Sequence, residues 1–218
     1  MIPLVHDFTE ETVLVFGGGP VGARKARRFA REARVLVISP AFADREFGPA
    51  ELIRAAPAPA GVAPWLERVE PALAVAATDD EAINEAVADA SRERGILVNR
   101  ADRSGERDAG SVVVPATVSE DPVVVSITTG GTAPALSKHL RQELEETLEG
   151  AGEMARVCAG LREELKSRDV PADRRREIVT DVANSPDLWT ALRTGTSNCP
   201  QVIEDVLGDE LSTGGERP

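Results

Sequence analysis

Cysteine, histidine and lysine are scarce in this 218-residue chain. The two cysteines, Cys158 and Cys199, cannot build a disulfide framework, and their spacing fits no metal motif, so both read as reduced thiols. His6 and His139 are too isolated to suggest a metal site or a nucleophile relay, and no metal-ligating residue is assigned. No apolar run reaches the roughly 18 residues of a membrane span. The first ten residues carry acids and no basic n-region, so no signal peptide is expected and the cytoplasm is the expected compartment. No internal repeat is present, and the apolar content excludes collagen, rod and bulk disorder. At 42% hydrophobic and 28% charged residues, the composition is that of a globular chain of one or two domains with a sizeable core.

Basic residues are also in deficit. Asp and Glu number 37 against 25 Lys and Arg, a net charge of −12, and Lys25, Lys138 and Lys166 are the only lysines. Such a surface repels nucleic acid and anionic lipid. It fits either an ordinary acidic enzyme or adaptation to a high-salt cytoplasm.

The first half alternates strand and helix signals. Apolar runs at 13–16, 35–38, 73–77 and 96–98 read as buried strands, with helices at 20–32 and 80–94. Continuous apolar strands alternating with helices predict a parallel sheet covered on both faces, the α/β class of a Rossmann-type domain. Residues 41–60 read as irregular, with a helix at 49–56, and the Ala/Pro-rich 55–64 reads as a surface loop. Beyond residue 110 the pattern changes. Residues 111–115 and 123–128 read as strands joined by a polar connector, followed by a helix at 134–148 and a polar helical region to about 208. Pro171, Pro186 and Pro200 stand where helices could begin, and 212–218 reads as a frayed tail. The expected division is a dinucleotide-binding domain at 1–110, a small α+β segment at 111–150 and a helical region at 151–218.

Gly17-Gly18-Gly19-Pro20-Val21-Gly22 fits G-x-G-x-x-G between a strand and a helix, the context that a dinucleotide fingerprint needs. Gly17 permits the turn, Gly19 lets a pyrophosphate approach, and Gly22 lets helix pack on strand. The bland reading is a glycine turn with no ligand. The second strand ends at Ser39-Pro40, without the acid that holds a ribose 2′-OH and without an arginine for a 2′-phosphate, so NAD and NADP are not separated there. Backbone groups of Ser39, Pro40 and Ala41 are candidates to line the adenosine pocket. Thr78, at a strand end, is a candidate cofactor contact, while Asp79 or Asp80 caps the next helix. Asp102 could act as a general base or be a solvated loop acid. Arg100, Arg103 and Arg107 make its surroundings basic, which suits an anionic substrate or simply balances Glu106 and Asp108. Thr129, Gly130 and Gly131 offer hydroxyl and N–H groups to a carboxylate or phosphate, with Thr132 as a helix N-cap. The Arg174-Arg175-Arg176 run reads as a solvated helix face.

Taken together, Gly-Gly-Gly-x-Val-x-x-Arg-Lys-Ala from Gly17, Ala-Ala-Thr-Asp-Asp from Ala76 and Thr-Gly-Gly-Thr-x-Pro from Thr129 are more specific than the fingerprint alone. The chain resembles the precorrin-2 dehydrogenase family, which includes the N-terminal module of siroheme synthase, over about 12–144 and more loosely to 178. The methyltransferase domain of the fused versions is not expected. The resemblance implies that NAD accepts a hydride from precorrin-2, giving sirohydrochlorin, and that some members also chelate Fe²⁺. It places the cofactor on Gly17, Gly19, Pro20, Val21, Gly22, Pro40 and Ala41, the proton-accepting aspartate on Asp102 and the substrate loop on Thr129, Gly130 and Gly131. It further implies a homodimer in which 111–148 exchanges contacts between subunits. Arg100, Arg103, Arg107, Lys138 and Arg141 are candidate partners for the carboxylates of a tetrapyrrole. The segment 103–110 is longer than the family's usual Asp-Pro-Glu, which makes Asp108 the alternative base. Two rival readings are a bifunctional dehydrogenase and ferrochelatase, and a dinucleotide sensor without turnover.

Overall fold

In a computed structural model the described residues are 2–103 and 110–195. Glu106, Arg107, Asp108, Cys199, Pro200 and the expected tail lie outside them. The chain forms two compact units, Met1–Val114 and Pro115–Pro218.

Unit 1 is a five-stranded parallel sheet in the order β3-β2-β1-β4-β5. Its elements are β1 (Thr12–Phe16), α1 (Pro20–Phe29), β2 (Arg34–Ser39), β3 (Glu51–Arg54), α2 (Pro59–Val69), β4 (Leu73–Ala76), α3 (Glu81–Glu93) and β5 (Leu97–Arg100). The apolar runs feed two cores because successive strand side chains point to opposite faces. Leu14, Phe16, Leu36 and Ile38 pack with Val62 and Leu66 of α2 and Val87 of α3. Val13, Val15, Val35 and Val37 pack with Ala23 and Ala26 of α1 and with Phe47. This is the expected two-sided parallel sheet.

Two local expectations are corrected. Residues 49–56 are not a helix: Glu51–Arg54 is an edge strand paired in parallel with β2. Ile53 packs on the core while Leu52 stays 44% exposed, a one-sided burial that short-range helical spacing cannot reveal. Residues 55–64 are not all loop, since α2 begins at Pro59 and carries Pro64 inside it. An interior proline costs about 3 kcal/mol. Burying Val62 and Leu66, one turn apart, offsets that at roughly 1.5–3 kcal/mol each.

Unit 2 begins with the antiparallel pair β6 (Ala116–Glu120) and β7 (Val123–Ile127). The first strand is therefore not at 111–115, where Ser111 makes only an isolated bridge to Val98. The pairing closes around Asp121-Pro122, and that turn sets which five residues can face Val123–Ile127. Helices α4 (Pro134–Thr147), α5 (Ala151–Ser167), α6 (Ala172–Ala183) and α7 (Pro186–Thr194) follow. Leu161 and Leu165 of α5 pack with Ile178 and Val182 of α6 and Leu188 of α7. Among the described residues no helix is long and apolar enough to cross a membrane.

Candidate functional site

The carboxyl ends of β1, β2 and β4 open onto a cavity of about 650 Å³. Gly17, Gly19, Pro20, Val21, Ser39, Pro40, Ala41 and Thr78 all line it. Gly17 has φ +119°, and a Cβ there would stand 2.2 Å from the Ala77 carbonyl oxygen. A Cβ on Gly22 would stand 1.9 Å from the Gly17 carbonyl oxygen, so Gly22 supports the turn from beneath and does not line the cavity. A Cβ on Gly19 would meet nothing within 4 Å, which leaves that backbone open to a ligand. Gly19 is the N-cap of α1, no side chain caps the helix, and no acid occupies its first turn. Pro20 has no N–H, so the Val21 and Gly22 N–H groups face outward at the positive end of the helix dipole. The cavity therefore fits a dinucleotide pyrophosphate.

One cavity residue, Gly18, and one residue that holds a cavity residue, Asn84, escaped the sequence reading. Gly18 fills a variable position of the fingerprint, yet a Cβ there would meet the Ala41 carbonyl oxygen at 2.3 Å and Ser39 Cβ at 2.8 Å. The loop after β2 folds onto it, and Ala43 N donates to Gly18 O. Asn84 of α3, 1% exposed, clamps Thr78. Its Oδ1 accepts from Thr78 N at 3.2 Å and from Thr78 Oγ1 at 2.8 Å, and its Nδ2 donates to Thr78 O at 3.0 Å. A lone helix asparagine gives no sequence signal of that kind. Asp80 is the N-cap of α3 and accepts from Ala82 N and Ile83 N.

Asp102 stands just past β5 beside Arg100, which lies on the strand itself. Arg100 donates from Nε to Asp102 Oδ1 at 2.9 Å and from Nη2 to Oδ2 at 2.6 Å, with a further bond to Glu81 at 3.0 Å. Glu81 also accepts from Arg103 at 2.6 Å. Burial works against ionisation of Asp102, but the Arg100 bonds and charge prevail and hold its pKa below the usual carboxylate range. The Arg100 guanidinium is held more firmly protonated, chiefly by its bond to Asp102.

Next to this pair lies a cavity of about 170 Å³, lined by Arg24, Lys25, Asn99, Arg100 and Arg103 among others. Asn99 is 6% exposed; its Nδ2 donates to Val112 O at 2.7 Å, and its Oδ1 is buried without a partner among the described residues. The sequence reading passed over Asn99, Arg24 and Lys25. The cavity joins cations to one unused acceptor, a setting for a polar, acidic ligand.

In unit 2, Thr129 Oγ1 lies 3.0 Å from Ser137 Oγ and accepts from Ala133 N at 3.4 Å. Gly130 and Gly131 adopt positive φ in the same turn. Thr132 does not cap α4: Ala133 is the N-cap, and the Thr132 hydroxyl donates back to Thr129 O at 2.6 Å. Lys138 is exposed on α4, and Arg141 pairs with Glu145. Arg175 donates to Val170 O, so the arginine run is not wholly solvated. Among the described residues no group of three or more His, Cys, Asp or Glu is placed to hold a metal ion.

Residues 4–116 match the family described as "Putative NAD(P)-binding". Precorrin-2 dehydrogenase of Methanosarcina barkeri is 31% identical over 195 residues, covering 86% of this chain and 85% of that protein. Siroheme synthase of Stutzerimonas stutzeri is 31% identical over 215 residues, 94% of this chain but 44% of that protein. The chain thus spans less than half the length of the siroheme synthases it matches. The solved structure of SirC, precorrin-2 dehydrogenase, superposes with a TM-score of 0.69 at 21% identity over 95% of this chain and 100% of that one, which shows the shared fold. The NAD(P)-binding unit, the parallel sheet and the match over most of both chains to the Methanosarcina barkeri relative establish that this chain belongs to the precorrin-2 dehydrogenase family.

Proposed function

We propose that this protein is a cytoplasmic, NAD-dependent precorrin-2 dehydrogenase of siroheme biosynthesis. The observation that carries the reading is the ionised, Arg100-held Asp102 at the end of β5, in the same sheet whose glycine cradle fits a dinucleotide. Gly17, Gly19, Pro20 and Val21 hold the phosphates, Ser39, Pro40 and Ala41 line the adenosine end, and Thr78 borders the opposite side. NAD, when bound, supplies the two-electron acceptor for a hydride.

The protein's own residues bind the acidic substrate and take its proton. Lys25, Arg24 and Arg103 give the small cavity its positive charge, and Asn99 borders it. Arg100 keeps Asp102 ionised, so the carboxylate can take a proton at neutral pH. It also makes Asp102 a weak base, which suits a proton rendered acidic by departure of the hydride. Thr129, Gly130 and Gly131 form the substrate loop that the family relationship implies, and Lys138 of α4 is a candidate partner for a substrate carboxylate. The partner is a second copy of the chain. No residue of α4 is buried, and Leu136 and Leu140, one turn apart, are 48% and 38% exposed.

Anaerobic precorrin-2 and NAD⁺ should give NADH and the sirohydrochlorin spectrum in equal amounts. The assay belongs at low and at molar salt, because a −12 chain repels a polycarboxylate and the Debye length falls to about 3 Å at 1 M. NAD binding by calorimetry without turnover at either salt would refute the reading. Asp102→Ala should abolish turnover and spare NAD affinity; activity within about tenfold of wild type would remove Asp102 as the base.

A further inference from the structure

Beside the adenosine end of the large cavity, just outside its lining, stands a cation that the linear sequence conceals. β3 pairs with β2 so that Arg54 stands directly opposite Ser39, the position where a ribose-binding acid would be found. Arg54 Nη1 donates to the Pro40 carbonyl oxygen at 3.0 Å, and its guanidinium lies 5.8 Å from the Phe42 ring centroid. Ser39, Pro40 and, just beyond Arg54, Ala56 and Pro57 all line the cavity. Arg54 is exposed and has no carboxylate partner among the described residues, although acids outnumber cations in the chain. Arg34, at the far end of the neighbouring β2, is by contrast paired with Glu51.

Among the described residues no acid lines this end of the cavity. The acids that line the cavity elsewhere, Asp79 and Asp80, follow β4 on the other side of β1 from β2; Asp44, like Arg54, stands outside the lining, and Arg54 alone of the two is bonded to a lining residue, Pro40. A carboxylate at the end of β2 would accept from a 2′-OH and exclude a 2′-phosphate; Ser39 carries no charge with which to exclude one.

We infer that the adenosine site accepts a 2′-phosphorylated ribose, so that the protein binds NADP as well as NAD, and that Arg54 is the residue that holds the 2′-phosphate. The inference rests on the reading of this cavity as the dinucleotide site. Arg54 keeps one face of its fork on Pro40 O and has further N–H donors for the phosphate, whose charge meets a guanidinium pre-set by strand pairing and the Phe42 ring. It acts on specificity and not on the reaction, since β2 and β5 lie at different positions across the sheet.

The test is calorimetric binding of NAD and NADP to the full chain, with no tetrapyrrole present. At low salt the wild type should bind NADP within about threefold of NAD or more tightly, with the steeper salt dependence for NADP because an exposed ion pair is screened. Arg54→Ala should weaken NADP by about five- to tenfold while NAD changes less than about twofold, and Arg54→Lys should recover part of the loss. Ser39→Asp should weaken NADP and spare NAD. NAD binding with NADP more than about thirtyfold weaker in the wild type, or equal losses for both cofactors in Arg54→Ala, would overturn the inference and leave the dinucleotide site standing. Failure to bind either cofactor would instead remove the site reading on which it rests, and the inference with it.

Discussion

Replacing Arg100 by Met should expose how much the Asp102 pair contributes and reverse its pH dependence. The Arg100 side chain is 6% exposed and that of Asp102 15%. Methionine fills much of the arginine volume but abolishes the bonds at 2.9 and 2.6 Å to Asp102 and the one at 3.0 Å to Glu81. Removing one partner of a fully buried pair costs about 3–5 kcal/mol. Here the Asp102 backbone is open and Glu81 is 58% exposed, so water recovers part of that, and about 2 kcal/mol is expected at pH 7. In the wild type the folded pKa of Asp102 lies below its unfolded value, so the stability it contributes is present above about pH 4 and is lost only as pH falls through the folded value. Without Arg100, burial, the largest influence on Asp102, is opposed only by its backbone bond and by Glu81, and the folded pKa is expected to rise above the unfolded one. The penalty is then largest at neutral pH and should shrink by about half by pH 4.5, as the mutant carboxyl takes up its proton. Urea unfolding followed by Trp65 fluorescence in a Trp189→Phe background reports on unit 1 alone, since one tryptophan lies in each unit. A difference below about 0.5 kcal/mol at pH 7, or one that does not narrow at pH 4.5, would refute the argument.

The second and third fingerprint glycines should separate cleanly. Gly22→Ala drives a methyl to 1.9 Å from backbone and should lower the melting temperature sharply and abolish NAD binding; Gly19→Ala has open space and should change stability by less than about 0.5 kcal/mol while weakening NAD at least about tenfold. Equal thermal shifts in the two variants would contradict the packing analysis. Asn84→Ala leaves the Thr78 N–H and C=O without their buried partner and should cost about 2–3 kcal/mol, read from urea unfolding, with a loss of NAD affinity as the strand-end loop loosens. Unchanged stability there would mean that water replaces the clamp. Asp80→Ala removes two N-cap bonds and should cost about 1 kcal/mol, a smaller loss than Asn84→Ala.

Much of unit 1 was legible because its signals are local. Four runs of β-branched and aliphatic residues, split by glycine turns and by Asp80 before a helix, demand a buried parallel sheet whatever lies around them. Gly17, Gly19 and Gly22 declare a strand-to-helix turn by spacing, and the family resemblance singled out Asp102 where spacing alone left a loop acid. The features that were misread depend on partners distant in sequence. Glu51–Arg54 becomes a strand only because the outer edge of β2 is there to pair with it. The helix from Pro59 tolerates Pro64 because Val62 and Leu66 find a core that the local sequence does not contain.

Residue types and their spacing by themselves determined the fold class, the cradle and the acidic surface, since a turn, a buried strand and a net charge are properties of neighbouring residues. Tertiary structure decided what each polar side chain faces. It set Asn84 on Thr78 and Arg100 across both oxygens of Asp102, and it brought Arg54 opposite Ser39. Arg100 and Asp102 are two residues apart, yet only the end of β5 turns the guanidinium fork onto the carboxylate. Ser39 and Arg54 are fifteen positions apart, and only parallel strand pairing, whose hydrogen bonds join residues far apart along the chain, makes them neighbours.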